Sequence, residues 1–213
     1  MKNIPDAYET DLLVVGGGPA GSCAAVAAAR MGVKTIIIDN GNCLGGMATK
    51  GLVGPFMTCY DRYGEQMIIK GIFGEIVDRL VEKNWAIHPE HVRWESPYTA
   101  WIKAGHDHVT PFDPEGLKVI LETMCGEAGV KILYHTNFVE TIMNGNAAAG
   151  AVVLQKQGLR KIHARMVIDA TGDGDVAVSA GSPFSMGCKE RDGKIQPASL
   201  FLRINNVDSK KLE

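Results

Sequence analysis

The chain has 213 residues, more than one ordinary domain and fewer than two. Hydrophobic residues make up 46% and charged residues 22%, which excludes a disordered or fibrous protein. The net charge of −2 gives no indication of nucleic-acid binding or of a polybasic membrane contact. The five cysteines form no CxxC pair and no zinc spacing, which favours a reducing cytoplasm over a disulfide framework.

Residues 12–29 carry no charge and are about as long as a short membrane span. The sequence Gly-Gly-Gly-Pro at 16–19 interrupts this segment. Acidic residues precede it, where a signal peptide carries positive charge. We therefore reject both a membrane span and an export signal.

The first elements in chain order form a βαβ unit. Residues 11–15 are an apolar run that ends in glycines, which predicts a short buried strand. An alanine-rich helix is predicted over 20–31, opened by Pro19 and closed by Gly32. Residues 33–39 are apolar and β-branched, which predicts a second parallel strand.

The rest of the chain alternates loops, helices and strands. We predict a glycine-rich loop over 40–54, an amphipathic helix over 71–83 and an irregular segment over 85–110. A second helix is predicted over 113–128 and a third strand over 130–135. Two runs joined by Asn144-Gly145 predict a hairpin over 138–143 and 149–156. A third run ends near residue 163, and a separate buried strand is predicted over 166–169.

The first motif is Gly16-x-Gly18-x-x-Gly21 between the first strand and helix, with Asp39 ending the next strand. The first glycine permits a tight turn, the second lets backbone N–H groups approach a pyrophosphate, and the third allows close helix–strand packing. An acid at the end of the second strand holds a ribose hydroxyl and disfavours a 2′-phosphate. The alternative is a glycine-rich turn in another kind of α/β protein.

Two further segments carry glycines close to predicted strand ends. Cys43-Leu-Gly45-Gly46-Met47-Ala-Thr49 follows the second strand, and its glycines either approach a ligand or only turn the chain. Residues 169–175 read Asp-Ala-Thr-Gly-Asp-Gly-Asp after the fourth buried run. A calcium loop is the alternative there, but the later ligands of an EF-hand are absent from the sequence.

The order VVGGGPAG…IIID, LGGMAT, VIDATGDGDVAVSAG and QPASLFLR resembles the FAD-dependent oxidoreductases of the glutathione-reductase-like superfamily. The most similar branch contains fumarate-reductase-like and heterodisulfide-reductase-subunit-like flavoproteins. This resemblance implies FAD as the cofactor and an α/β fold, with a Rossmann-like parallel sheet, helices on one face and an antiparallel β-meander on the other. It is least clear over about residues 65–109.

The resemblance also implies a set of cofactor-binding residues. The pyrophosphate would contact the glycine turn, and the ribose would contact Asp39. The flavin side would lie along the Gly45-Gly46-Met47 loop, and the adenine would contact the backbone of Val139. The 170–172 turn would close over the cofactor. The full set is Gly16, Gly18, Pro19, Ala20, Gly21, Asp39, Asn40, Gly45, Gly46, Met47, Thr49, Val139, Ala170, Thr171, Gly172 and Asp173. The family more often has Glu where this chain has Asp39.

The resemblance implies a domain organisation as well. Residues 1–185 would form the FAD-binding domain, interrupted by an insertion at about 60–110, and 186–213 would begin a truncated substrate or cap domain. A disulfide reductase is unlikely to be encoded, since only Cys43 lies beside the glycine pair. No catalytic side chain is identified.

Several chemically suggestive residues have simpler interpretations. His88 with His91, and His106 with His108, could form a metal site, but loop-packing histidines fit their irregular surroundings better, so no metal is predicted. One of these histidines, or Arg93, could act as an acid or a substrate anchor. We expect Cys43 and Cys59 to be inert thiols, with a redox role as the alternative.

The sequence thus predicts a cytoplasmic FAD-dependent oxidoreductase that transfers hydride or electrons to or from a small-molecule substrate. Its partners would be that substrate and an electron donor or acceptor, with no nucleic acid and no membrane span, and a homo-oligomer is left open. The alternatives are a non-catalytic dinucleotide-binding fragment, a single-domain thiazole-synthase-like enzyme and an NAD-dependent enzyme.

Overall fold

The computed structural model describes residues 4–57, 59–61, 63–92, 108–206 and 208. The strands are β1 (Asp6–Val15), β2 (Thr35–Ile38), β3 (Lys131–Leu133), β4 (Asn137–Asn144), β5 (Ala147–Gln155) and β6 (Gly158–Asp169). The helices are α1 (Pro19–Arg30), α2 (Ile72–Glu82), α3 (Pro114–Ala128) and α4 (Asp175–Ser179). Short 3₁₀ turns occur at Gly46–Ala48, Pro89–His91 and Lys189–Arg191.

The strands form one six-stranded sheet in the order β3-β2-β1-β6-β5-β4. Strands β3, β2, β1 and β6 run parallel, and β5 and β4 are antiparallel to their neighbours. The predicted βαβ unit is confirmed as β1-α1-β2. The uncharged segment 12–29 is divided between β1, the glycine turn and α1, and none of the helices in the described ranges is long and apolar enough to cross a membrane.

The end of the meander differs from the prediction. The run ending near residue 163 and the strand over 166–169 are one continuous strand, β6. Its first half pairs with β5, and residues 161–169 pair with β1, from Lys161 opposite Asp6 to Asp169 opposite Val15. Strand β1 correspondingly begins at Asp6 rather than residue 11, since pairing with β6 orders residues that are mostly exposed and have no apolar pattern.

The hairpin prediction is confirmed with a shifted turn. Strand β4 ends at Asn144 and β5 begins at Ala147, so the turn consists of Gly145 and Asn146. Gly145 takes the positive φ of 60° that this tight connection requires.

Side-chain alternation along the parallel strands builds two apolar cores, one on each face of the sheet. On one face Leu12, Val14 and Ile37 pack against α1, α2 and α3. On the other face Leu13 and Val15 pack with side chains of the meander, namely Ala151, Val153 and Ile162. The predicted layering, with helices on one face and the meander on the other, is confirmed.

The two longer helices of the middle region also follow the prediction. Helix α2 buries Ile76, Val77 and Leu80. Its Glu75 pairs with Arg30 of α1 and its Arg79 with Glu127 of α3, and Glu75 and Arg79 also pair with each other. Helix α3 begins after Asp113, whose side chain accepts a hydrogen bond from Glu115 N–H, and ends before Gly129 at φ 79°.

Strands β1, β2 and β6 end at the same edge of the sheet, and the candidate site lies at this edge. Val15 lies opposite both Ile38 and Asp169 in the register of the sheet. The next residues therefore leave the sheet at one edge, where Gly16 N–H donates to Ile38 O at 3.0 Å and Ala170 N–H donates to Val15 O at 2.8 Å. The glycine turn, Asp39 and the 170–172 turn all begin at this edge.

Candidate functional site

A cavity of about 470 Å³ opens at the carboxyl edge of the parallel strands. Most of the predicted cofactor-binding residues line it: Gly16, Gly18, Pro19, Ala20, Asp39, Asn40, Gly46, Met47, Ala170, Thr171 and Gly172. The other predicted residues, Gly21, Gly45, Thr49, Val139 and Asp173, lie outside its lining. Residues from four separate parts of the chain thus meet at one crevice, as ligand sites of open α/β sheets do.

The three glycines of the first motif have different structural roles. Gly16 has φ +103°, and a Cβ there would overlap Ala170 O. A Cβ at Gly21 would overlap Gly16 O, so this glycine lets α1 pack against the turn. A Cβ at Gly18 would meet no atom within 4 Å, and Gly18 lines the cavity. Its backbone is therefore the part of the turn that a ligand can approach closely.

Helix α1 begins at this turn, with Gly18 as its N-cap. Ser22 N–H donates to Gly18 O at 2.9 Å, and the N–H groups of Ala20 and Gly21 in the preceding turn lack intrahelical acceptors. The first turn contains no acidic side chain. The helix dipole and these N–H groups therefore favour an anion at this end of the cavity.

Asp39 is buried, and its carboxylate is held by three donors. Oδ2 accepts from Gly17 N–H at 2.9 Å, while Oδ1 accepts from Gly41 N–H at 2.7 Å and from the Lys50 ammonium at 2.6 Å. Lys50 also lines the cavity. The carboxylate is thus fixed in the cavity wall with its charge paired.

The Gly45-Gly46 loop packs directly on the first glycine turn. Gly45 N–H donates to Gly17 O at 2.7 Å, and a Cβ at Gly46 would lie 2.9 Å from Gly18 Cα. Met47 follows with 63% of its surface exposed and lines the cavity. Thr49 faces inward, because its hydroxyl donates to Leu44 O at 2.7 Å.

The 170–172 turn is fixed by Asp169. Its Oδ1 accepts from the N–H and the hydroxyl of Thr171, at 3.1 and 2.7 Å, and its Oδ2 accepts from Ala177 N–H at 2.9 Å. Burial opposes ionisation of Asp169, but the hydrogen bonds from Ala177 and Thr171 outweigh it and lower its pKa. The Thr171 hydroxyl also accepts from Gly174 N–H and Asp175 N–H, so its hydrogen bonds tie the turn to α4.

The loop between β3 and β4 forms another wall of the cavity. Thr136 N–H donates to Asp39 O at 3.0 Å, which brings Thr136, Asn137 and Phe138 to the lining. The predicted adenine contact, Val139, is about half exposed outside the lining. The neighbouring Phe138 lines the cavity, and the contact of the adenine with the Val139 backbone stays a prediction.

Sequence reasoning missed several lining residues, among them Gly17, Lys50, Asn137, Phe138 and Asp175. Asp175 lines the cavity where Asp173 was predicted. No local signal indicates Lys50, because its contact with Asp39 depends on how the glycine-rich loop folds back.

The histidines and cysteines outside the cavity have local roles in the described ranges. His88 Nδ1 accepts from Glu90 N–H at 3.3 Å, and the His108 ring stacks on Tyr60 at 4.2 Å. The described residues include no group of three or more His, Cys, Asp or Glu that could hold a metal ion. Arg93 and His106 lie outside the described residues.

Cys43 and Cys59 are both buried thiols, and neither lines the cavity. Burial raises the pKa of the Cys59 thiol, which opposes formation of the reactive thiolate. The inert role expected for these cysteines remains a prediction, which this burial supports.

The parallel sheet, the glycine turn and the cavity at the carboxyl edge define a Rossmann-type dinucleotide-binding domain. The chain belongs to the family of FAD dependent oxidoreductases, whose family model matches residues 11–213. The predicted family and its cofactor, FAD, are confirmed.

Individual relatives are similar over most of this chain. Thiamine thiazole synthase of Aeropyrum pernix is 29% identical over 174 residues, which are 76% of this chain and 54% of that protein. Digeranylgeranylglycerophospholipid reductase of Methanoculleus marisnigri is 27% identical over 168 residues, 76% of this chain and 38% of that protein. The chain thus spans about half the length of these relatives, or less.

A solved structure supports the fold. The geranylgeranyl bacteriochlorophyll reductase-like protein of Thermoplasma acidophilum superposes with a TM-score of 0.56 at 21% identity, covering 82% of this chain and 42% of that one. At this identity the likeness concerns the fold alone.

Proposed function

We propose that this chain supplies the FAD-binding part of a flavin-dependent oxidoreductase, and that the cavity at the carboxyl edge receives the ADP half of FAD. The single observation that carries the proposal is the open backbone of Gly18 at the N-terminus of α1, with Asp39 in the same cavity. The volume of about 470 Å³ lies within the range of roughly 300–1,000 Å³ typical of small-ligand sites.

The residues present fit the cofactor in charge and in shape. The N–H groups at the start of α1 would hold the diphosphate, and Asp39 would accept a ribose hydroxyl. Met47 and the 170–172 turn would lie along the cofactor on either side. When bound, the flavin accepts hydride or electrons, and the protein binds and orients it.

We propose that residues 1–185 form the FAD-binding domain, with an insertion at about 60–110, and that 186–213 belong to a substrate or cap domain. Large apolar side chains after residue 185 support this division because they are exposed: Met186, Ile195, Leu200, Phe201, Leu202 and Ile204. Side chains of this kind are normally covered by another part of a protein.

We propose a small-molecule substrate and an electron donor or acceptor as partners, and a cytoplasmic location. The five cysteines, all of them within the described residues, are free thiols, which is typical of a reducing compartment. A homo-oligomer stays a proposal that solution mass measurements can test.

A second candidate function comes from the similarity to thiamine thiazole synthases, which extends over about three-quarters of the chain. The product-binding and sulfur-donating features expected of such an enzyme are not evident in the sequence. An NAD-dependent enzyme is the weaker alternative, since a plain Rossmann domain needs neither the meander nor the 170–172 turn.

Equilibrium titration distinguishes these functions. We expect the purified protein to bind FAD, followed by flavin fluorescence, with ADP and NAD competing because both carry the same ADP half. FMN should bind at least about tenfold more weakly, since it lacks the adenosine and the diphosphate. Turnover with an artificial electron acceptor then tests the oxidoreductase activity. Binding of NAD in preference to FAD would overturn the proposal.

A further inference from the structure

We infer that Lys50 is a positioning residue of the ribose site, which acts on the adenosine ribose through Asp39 rather than by contacting the ligand's phosphates. This inference rests on the proposed function. Lys50 Nζ lies 2.6 Å from Asp39 Oδ1 and 3.4 Å from Asn40 Oδ1. The Asp39 side chain is 7% exposed and the Lys50 side chain 34% exposed, so the pair joins a buried carboxylate to the cavity surface.

The Asp39 carboxylate keeps one acceptor site for a ligand after its contacts with the protein are made. An ionised carboxylate offers about four lone-pair sites. Gly17 N–H, Gly41 N–H and Lys50 occupy three, and two of these donors share Oδ1. The remaining site on Oδ2 suits one ribose hydroxyl. Lys50 thus takes the second site of Oδ1 and leaves Oδ2 as the oxygen that has a site for the ligand.

The positive charge of Lys50 also offsets the negative charge of Asp39. Among the described residues, the cavity lining contains two carboxylates, Asp39 and Asp175, and one ammonium, Lys50. Without Lys50 the Asp39 carboxylate would be a largely buried charge held by backbone N–H groups alone. Such a charge is costly and would also repel the diphosphate.

The test uses ADP and 2′-deoxy-ADP as probes, with dissociation constants measured by calorimetry on the full chain. In the unaltered protein we expect ADP to bind about tenfold more tightly than 2′-deoxy-ADP, since the deoxy compound lacks the hydroxyl that Asp39 accepts. In Lys50→Met we expect this preference to fall to about twofold, with partial rescue in Lys50→Arg. Lys118→Met removes a surface ion pair with Glu115 and should leave the preference unchanged.

A double-mutant cycle separates positioning from direct contact. If Lys50 acts through Asp39, Lys50→Met in an Asp39→Asn background should change ADP affinity by less than about twofold. Equal losses in both backgrounds, or an unchanged preference for ADP in Lys50→Met, would overturn the inference. Failure of the unaltered protein to bind ADP or FAD at all would instead count against the proposed function.

Discussion

Replacing Gly18 with valine should weaken FAD binding by at least about a hundredfold, because the added carbons would occupy the space that the diphosphate needs beside the backbone. The protein should stay folded. Gly18 has φ −66° and ψ −176°, a conformation open to any residue, and its added Cβ would touch no protein atom. The measurement is FAD affinity by fluorescence titration, together with the thermal unfolding temperature.

Two other glycines serve as controls for this prediction. Gly126→Val adds carbons at an exposed position of α3 where a Cβ also meets nothing, and it should leave FAD affinity unchanged. Gly21→Ala should lower stability, because its Cβ would overlap Gly16 O. Full FAD affinity in folded Gly18→Val would refute the role assigned to Gly18. Should that variant fail to fold, Gly18→Ala provides the same comparison.

Asp169→Ala should lower the free energy of unfolding by about 3 kcal/mol, since three donors that the carboxylate now accepts would lose their partner. These donors are the N–H and hydroxyl of Thr171 and the N–H of Ala177. Urea unfolding measures the change. The exposed Asp173, in the same loop, is the matched control, and Asp173→Ala should cost less than about 0.5 kcal/mol.

The effect of Asp169 should also depend on pH. Its pKa is lowered from the ordinary value of 3.8 in the folded protein, so the folded state binds its proton less readily than the unfolded chain. The stability it contributes is therefore present above 3.8 and is lost as the pH falls through the folded-state pKa. The difference between the unaltered protein and Asp169→Ala should shrink on acidification. A difference that grows at low pH would contradict this account.

The elements built from local signals were predictable. The end of β1, the glycine turn, α1 and β2 follow from signals that act over a few residues, namely buried β-branched runs, Pro19 and Gly32. Helix α3 was predicted to its ends for the same reason, since Asp113 caps its start and Gly129 its end. The layering of the sheet followed from these elements and from the resemblance to the family.

The features that depend on distant pairing were not predictable. Strand β6 was divided in two because its continuity comes from β5 on one side and β1 on the other. The exposed start of β1 has no apolar pattern and is ordered by the same pairing. In the site, the contact between Lys50 and Asp39 depends on the path of the loop between them.

The central claim is that backbone N–H groups at the start of α1 hold a diphosphate while Asp39 holds the sugar. A crystal structure of the protein with FAD bound tests it most directly. We expect a diphosphate oxygen within about 3.2 Å of Gly18 N and an adenosine ribose hydroxyl within the same distance of Asp39 Oδ2. FAD bound with its diphosphate away from Gly18, or with its ribose out of reach of Asp39, would contradict the claim.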